Sequence, residues 1–245
     1  MKLFKRKSKN TASKNKRAQL LTDKQPFAYT EAYKALRTNM RFMTMGGKLK
    51  KIVVTSAIPG EGKSTFAINL AKTLADTGLK VIVIDADLRN PSIHRYLRVR
   101  QSVAPGLSAL ITDNQALSSS IGRVSAFNFD IILSGQIPPN PAELLGSEKM
   151  SDILSELEKE YDYVICDAPP VSVVTDAAEL SQSADGVIMV VSQSYATFEQ
   201  VQSAKANLEK VNANILGAVL NNFDASLSNK AGEEYNYYYS YGGKE

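Results

Sequence analysis

The chain has 245 residues, 44% hydrophobic and 22% charged, which is enough for one full-sized domain with a core of ordinary size. Its single cysteine excludes an internal disulfide framework, and its single histidine excludes a multi-histidine metal site. No apolar run reaches the roughly 18–20 residues that span a bilayer. The charged start is not followed by the apolar segment of a secretion signal, so the chain is expected to be intracellular.

The net charge of +4 conceals two regions of opposite sign. Residues 1–51 carry 15 Lys and Arg against two acids, a balance of +13, whereas residues 52–245 carry 14 bases against 23 acids, a balance of −9. Residues 1–26 are expected to form a disordered basic arm, which an anionic membrane would attract by about 1 kcal/mol per cation. Only Phe4 stands among the first bases, so no base-stacking platform is indicated and no nucleic-acid partner is expected.

Residues 27–45 are predicted to form a helix, with Thr30 as a candidate N-cap. A basic stripe runs beside its apolar stripe at helical spacing. Two interpretations stay open: a core-facing helix with a solvated basic side, or a contact with another subunit through Glu31, Lys34 and Arg37.

From residue 51 strand and helix patterns alternate. Apolar runs without alternation, typical of strands covered on both faces, predict strands at 52–55, 81–84, 163–166, 186–191 and 216–220, with another within 127–133. Helices are expected at 64–77, closed by Gly78, and at 147–160, 175–183 and 197–211. The pattern predicts an α/β domain over residues 27–224, a mostly parallel sheet with helices on both faces. Its binding site is expected at the carboxyl ends of the strands.

The first strand leads into a glycine-containing loop that ends in Gly-Lys-Ser-Thr before a helix. This is the spacing of a P-loop, in which backbone N–H groups surround phosphates, the lysine adds a charge and the hydroxyl suits Mg²⁺. The fold class is therefore that of a P-loop NTPase. The predicted nucleotide-binding residues here are Pro59, Gly60, Glu61, Gly62, Lys63, Ser64 and Thr65.

Acidic residues follow two other strands at the same sheet edge. Asp85 and Asp87 end the second strand, just before Arg89, and Asp167 ends the strand at 163–166. Carboxylates at the ends of buried strands are costly unless they serve a metal ion or a proton, although Asp87 alone could cap a turn. Asp167 has the position of a Walker-B acid, which holds Mg²⁺ directly or through water.

Asn221 and Asn222 follow the last strand, where related P-loop proteins read the base. Their pattern leaves guanine open beside adenine, and a role confined to the loop is also open.

Three features together resemble the bacterial tyrosine kinases (BY-kinases): the P-loop, the run Ile82–Arg89 with its two acids, and the stretch Ser134–Leu145. A C-terminal tyrosine cluster agrees with that family as well. The resemblance implies ATP, Mg²⁺ and tyrosine autophosphorylation, with adenine as the base. It is nearest to the cytoplasmic kinase of split systems for capsular or exopolysaccharide synthesis, which a separate membrane protein activates through its cytoplasmic tail.

Family roles carry over to matching positions. Lys63 would hold phosphate, Ser64, Asp85 and Asp167 the metal ion, and Asp85 or Asp87 would orient or accept the tyrosine proton. Arg89 would pair with a carboxylate or steady the transferred phosphoryl. The family builds a subunit ring with Glu-x-x-Arg-x-x-Arg on a helix. Here Lys34 replaces the first arginine, which keeps the charge but loses bidentate pairing.

The tail at 225–245 carries the predicted phosphoacceptors, and its length would let it reach a neighbouring subunit. We expect five phosphates there to add roughly −7 to −10 of charge and to weaken ring assembly or membrane docking. The five residues are Tyr235, Tyr237, Tyr238, Tyr239 and Tyr241.

Two other functions remain open. A positioning ATPase of the same fold would have both Walker motifs, but it carries a lysine where this chain has Ile58, and it lacks the tyrosine tail. A nucleotide-gated scaffold would have its tail modified by another kinase. The expected location is the cytoplasm, with recruitment to the inner face of the membrane through the partner, and tyrosine-containing proteins are expected as further substrates.

Overall fold

The structure is a computed structural model that describes residues 20–22, 25–44, 49–100, 105–113 and 115–224. The helices in this part are α1 (Phe27–Thr44), α2 (Lys63–Ala75), α3 (Ile93–Leu97), α4 (Gly106–Thr112), α5 (Leu117–Ser120), α6 (Pro141–Leu145), α7 (Glu148–Glu160), α8 (Asp176–Ser181) and α9 (Phe198–Glu209). The strands are β1 (Lys51–Ser56), β2 (Val81–Asp85), β3 (Ile121–Val124), β4 (Phe129–Ile132), β5 (Tyr163–Asp167), β6 (Gly186–Ser192) and β7 (Ile215–Asn221). None of these described helices is long and apolar enough to span a membrane.

The described strands form one seven-stranded sheet in the order β3-β4-β2-β5-β1-β6-β7. Every neighbouring pair is parallel except β3 and β4, which are antiparallel. This confirms the predicted α/β class with a mostly parallel sheet. Because β1 lies between β5 and β6 while β2 lies beyond β5, the strand order gathers the ends of β1, β2 and β5 at the middle of one edge.

The central strands are covered on both faces, which is why their sequences are apolar without alternation. Residues of β1 show this directly, since Val53 belongs to the core cluster on one face and Ile52 and Val54 to the cluster on the other. Helices α1 and α2 pack on the second cluster, and helices α7, α8 and α9 contribute to the first. Burying one such aliphatic side chain is worth about 1.5–3 kcal/mol, so the two clusters fix the sheet between its helical layers.

Helix α1 begins at Phe27, directly after Pro26, so the predicted N-cap at Thr30 is wrong. Thr30 lies inside the helix, and its N–H donates to the carbonyl of Pro26. The start at residue 27 agrees with the predicted range, and Pro26 suits it because the fixed φ of proline favours the opening of a helix.

The predicted end of the second helix is also wrong by two residues. Helix α2 ends at Ala75 with Asp76 as its C-cap, and Gly78 follows in the left-handed region with φ 85°. The sequence analysis also missed β3 and the short helices α3, α4, α5 and α6. Elements of four to seven residues present too few periodic positions to be recognised.

A polar cluster buried between α1 and α2 fastens the two helices together, and we call it the Asn69 cluster. Asn69 Oδ1 accepts from the Leu21 N–H at 2.8 Å, and Asn69 Nδ2 donates to the hydroxyls of Tyr29 at 2.9 Å and Tyr33 at 3.2 Å. Leu21 lies in the segment predicted as the basic arm, yet it is buried. The chain therefore packs onto the domain before α1 begins.

Candidate functional site

The loop between β1 and α2 has the shape of a phosphate cradle. Gly60 and Gly62 both have φ 89°, in the left-handed region that only glycine enters without strain. This conformation turns successive backbone N–H groups inward and leads into the N-terminus of α2, where the helix dipole favours an anion. Pro59 and Gly60 are exposed at the outside of the loop, and Lys63, Ser64 and Thr65 form the first turn of α2.

Glu61 holds this loop from within. Its carboxylate is fully buried and accepts from the Ile58 N–H at 2.9 Å and from the Ser192 N–H at 3.0 Å. The side chain of Glu61 therefore ties the loop to the end of β6, and only its backbone is left for the nucleotide. The sequence predicted Glu61 as a binding residue by motif position, which says nothing about where the side chain turns.

The three predicted acids converge on Lys63. Asp85 and Asp167 are direct partners in the β2–β5 register, and all three carboxylates are buried. Lys63 Nζ donates to Asp87 Oδ2 at 3.0 Å and lies 3.5 Å from Asp167 Oδ1. The sheet edge thus holds one cation among three acids, as the sequence predicted.

This crowding shifts the proton equilibria of the site. Burial, and after it the charge of Asp167, raises the pKa of Asp85 to about 8. Burial also raises the pKa of Asp167, although Lys63 opposes the change. Burial would lower the pKa of Lys63, but Asp167 and Asp87 outweigh it, so the pKa of Lys63 is raised. The lysine therefore stays charged while the acids compete for protons or cations.

The oxygens of this cluster suit a hard cation. Asp85 Oδ1 and both oxygens of Asp167 are buried without a hydrogen-bond partner among the described residues, and such oxygens are normally satisfied. Nearby, the Ser64 Oγ accepts from the Ser92 Oγ at 2.9 Å. In the described part of the chain no three His, Cys, Asp or Glu residues are placed to hold a metal ion by themselves. The residues fit Mg²⁺ because this ion takes one or two carboxylates and completes its shell with water and phosphate oxygens.

The other carboxylate oxygens are held by the backbone that follows β2. Asp85 Oδ2 accepts from the Ile93 N–H at 3.2 Å, and Asp87 Oδ1 accepts from the Asn90 N–H at 3.0 Å. The turn role considered for Asp87 is therefore real, and it coexists with the ion pair to Lys63. Asp85 and Asp87 therefore each have one oxygen held by the backbone, and the other oxygen of Asp87 accepts from Lys63.

Arg89 pairs with a carboxylate that the sequence analysis did not single out. Its Nε and Nη2 each lie 2.9 Å from an oxygen of Asp176, which is fully buried at the start of α8. This bidentate pair is the first of the two roles considered for Arg89. Asp176 has no motif spacing to Arg89, so only the packing of α8 against the sheet reveals the pair.

The amide group of Asn221 bonds the phosphate loop, and that of Asn222 bonds the end of β6. Asn221 Nδ2 donates to the Glu61 carbonyl at 2.8 Å, and Asn222 Nδ2 donates to Ser192 Oγ at 2.9 Å. Both residues thus have structural contacts within the chain. Base reading by these two residues stays a prediction.

The residues predicted for a subunit contact also have contacts within the chain. Lys34 Nζ bonds Glu31 Oε1 at 2.7 Å, and both side chains are about half exposed. Arg37 Nη1 donates to the Thr73 carbonyl of α2 at 3.0 Å. The five tail tyrosines and residues 1–19 lie outside the described residues.

The site has a glycine-containing loop that leads into the N-terminus of a helix, and Lys63, Ser64 and a strand-end acid lie beside it. These features define a P-loop nucleotide-binding protein. A family model described as an AAA domain matches residues 49–221.

The similar proteins are more specific. The tyrosine-protein kinase YwqD of Bacillus subtilis is 37% identical over 230 residues, which are 94% of this chain and 94% of that protein. The solved kinase domain of the Escherichia coli tyrosine kinase ETK has a TM-score of 0.75 and 34% identity, over 83% of this chain and 82% of that one. The crystal structure of the chimerical protein CapA2B2 has a TM-score of 0.75 and 35% identity, over 82% of this chain and 86% of that one. The chain belongs to the family of bacterial tyrosine-protein kinases, which confirms the resemblance drawn from its motifs.

Proposed function

We propose that this chain is an ATP-dependent protein-tyrosine autokinase that phosphorylates its own C-terminal tyrosine cluster and so regulates capsular or exopolysaccharide synthesis and export. One observation carries the proposal. Lys63 and the three acids Asp85, Asp87 and Asp167 meet beside a phosphate loop in a chain of this family. That set can bind a nucleotide, a divalent cation and a proton at one place.

In the free protein Lys63 is neutralised by Asp87 and Asp167. Nucleotide phosphates would bind this lysine in place of the two acids, and the carboxylates would then be available to bind Mg²⁺ or to accept a proton. We assign Ser64, Asp85 and Asp167 to Mg²⁺. When bound, Mg²⁺ neutralises the charge that develops on the transferred phosphoryl group.

The acceptor hydroxyl needs a base, because a tyrosine titrates near pH ~10. Asp85 and Asp87 are the two candidates. Asp85, with a pKa of about 8, already carries a proton in most of the free molecules at neutral pH, so it would have to lose that proton before it could act as a base. Asp87 is ion-paired to Lys63 and becomes available once the lysine turns to phosphate. The pH profiles of Asp85→Asn and Asp87→Asn separate them, since the variant that lost the base loses the limb of the profile that depends on it.

The substrate segment is residues 225–245, and three residues separate it from the end of β7 at Asn221. We propose transfer in trans within a homo-oligomeric ring, with Glu31 and Lys34 at the contact because both are accessible on α1. Arg37 would join that contact only by giving up its bond to Thr73. The membrane-bound partner would recruit the chain from the cytoplasm to the inner face of the membrane, and other tyrosine-containing proteins would also be substrates.

A positioning ATPase of the same fold is the weaker alternative. Ile58, where such proteins carry their lysine, packs against the core and donates its N–H to Glu61. A scaffold is distinguished from an autokinase by whether the purified protein labels its own tail.

The test is autophosphorylation of the purified protein with Mg-ATP, with and without the partner's cytoplasmic tail, followed by phosphopeptide mapping. We expect labelled tail tyrosines that disappear in Lys63→Met. The matched control is Lys72→Met, which removes a lysine from the same helix that is paired with Asp76. Wild type that never labels itself, but is labelled by another kinase whether or not Lys63 is present, would identify a scaffold.

A further inference from the structure

An exposed aromatic side chain lies against the phosphate loop and belongs to none of the motifs. A Cβ placed on Gly60 would meet the hydroxyl of Tyr195 at 2.8 Å and its Cζ at 3.4 Å. The phenol therefore touches the backbone of the loop that cradles phosphate. Because Gly60 has no side chain, the ring of Tyr195 can occupy the space beside it.

The turn that carries Tyr195 is held from two sides. The Ser192 N–H donates to the buried carboxylate of Glu61 at 3.0 Å, and the Gln193 N–H donates to the Asn221 carbonyl at 2.9 Å. The Tyr195 N–H closes the turn on the Ser192 carbonyl at 3.3 Å. These bonds connect the turn to the phosphate loop and to the end of β7, so the position of the ring is determined by the same framework that shapes the loop.

The exposure of Tyr195 is unusual for a ring held in this way. Its side chain is 56% exposed, although tyrosine gains most when its ring is covered and its hydroxyl has a partner. The amide groups of Asn221 and Asn222, which are also predicted nucleotide contacts, already donate to Glu61 and Ser192. An anionic ligand in the loop would cover the ring and supply an acceptor to its hydroxyl.

We propose that Tyr195 is a nucleotide-binding residue whose ring closes the mouth of the loop over Gly60 and whose hydroxyl donates to the phosphate chain. A bond from a neutral donor to a charged phosphate is stronger than one between neutral groups. This inference rests on the proposed kinase function and adds a contact on the outer side of its nucleotide site. The added residue comes from the turn after β6, a segment that contains none of the sequence motifs.

The first experiment measures Mg-ADP binding by calorimetry, which requires no catalysis. We expect Tyr195→Phe to weaken binding about tenfold, the usual effect of one lost hydrogen bond to a charged group. Tyr195→Ala should weaken it further, because the ring is also lost. Since the side chain is largely exposed, both variants should melt within about 2 °C of wild type. The control Tyr161→Phe removes a hydroxyl that bonds Asp130 on the far edge of the sheet, and it should bind as wild type does.

The second experiment uses fluorescence, because the chain contains no tryptophan. Tyr195→Trp would place one indole at the loop, and we expect its emission to change in intensity and wavelength on addition of Mg-ADP, saturating with the calorimetric Kd. The matched control is Phe42→Trp, which puts an indole at a residue 66% exposed on α1. That control should show no saturable change.

The outcomes separate the two proposals. The role of Tyr195 would be overturned if Tyr195→Phe and Tyr195→Ala bound Mg-ADP as wild type does and if the emission of Tyr195→Trp, like that of Phe42→Trp, showed no saturable change. The kinase function would then still stand. Failure of wild type and Tyr161→Phe to bind Mg-ADP or Mg-ATP at all would overturn the nucleotide site itself.

Discussion

Helix α2 takes part in two buried polar clusters that differ in one respect. The Asn69 cluster is satisfied, since Asn69 exchanges hydrogen bonds with Leu21, Tyr29 and Tyr33. The cluster at the first turn, with Lys63 and three acids, leaves carboxylate oxygens of Asp85 and Asp167 without hydrogen-bond partners among the described residues. Buried polar groups cost free energy unless they are paired. A satisfied cluster therefore contributes to stability, whereas an unsatisfied one reduces it and is suited to bind a ligand.

The largest effect should come from Asp167→Asn, which separates activity from stability. Without the carboxylate the site loses a proposed Mg²⁺ ligand, so autophosphorylation should fall at least about a hundredfold. The ligand-free protein should become more stable, because a buried charge with raised pKa is gone. Rate assays and thermal melting without Mg²⁺ test the two halves.

The control for that variant is Asp130→Asn on the opposite sheet edge, where the carboxylate bonds Tyr161 and Arg123. It should keep its activity and lose a little stability. A parallel loss of activity and stability in Asp167→Asn would contradict the distinction between the two clusters.

Asn69→Ala should have the next largest effect, and it should reduce stability much more than activity. It leaves the buried Leu21 N–H without its acceptor and removes the donor to the Tyr29 and Tyr33 hydroxyls, which should cost about 2–3 kcal/mol of unfolding free energy in urea titrations. Activity per folded molecule should change only a few-fold. The control Gln202→Ala changes an exposed side chain of α9 and should cost under about 0.5 kcal/mol. An equally small cost for Asn69→Ala would mean that the Asn69 cluster does not fasten α1.

Asp85→Asn should stabilise the ligand-free protein in a pH-dependent way. Because the folded pKa of about 8 lies above the ordinary value, the stability contributed by protonated Asp85 is complete at low pH and lost as pH rises through 8. Asparagine mimics the protonated form, so its advantage should grow from near zero at pH 4 to about 5 °C in Tm at pH 8.5. Thermal melts across that range check it. A difference in Tm between Asp85→Asn and wild type that stays constant across this pH range would disprove the shift.

Tyr33→Phe should have the smallest effect. It removes one 3.2 Å acceptor of Asn69 Nδ2 while the Tyr29 hydroxyl remains, so the loss should be about 1 kcal/mol in urea titrations. The ring keeps its contact with Phe66, whose centroid lies 6.1 Å away. A loss as large as that of Asn69→Ala would show that the hydroxyls act together.

Much of the site could be predicted, because its residues stand next to one another in sequence or directly at strand ends. The spacing that ends in Lys63 and Ser64 fixes the loop, and apolar runs place Asp85 and Asp167 at the ends of their strands. Contacts between distant residues could not be predicted this way. The pair of Arg89 with Asp176 and the bond of Ser92 to Ser64 join residues with no shared spacing, and Tyr195 reaches Gly60 across 135 positions.

The sequence by itself determined the class of this protein: a P-loop α/β domain of the bacterial tyrosine-kinase family, with its acids at strand ends. It could do so because strand periodicity and loop geometry are local properties of consecutive residues. Only the tertiary structure decided which polar groups are satisfied. The Glu61 side chain turns inward, Asn69 is fully bonded, and Asp167 is not. Hydrogen-bond satisfaction depends on which segments the fold brings together, and a one-dimensional pattern does not contain that information.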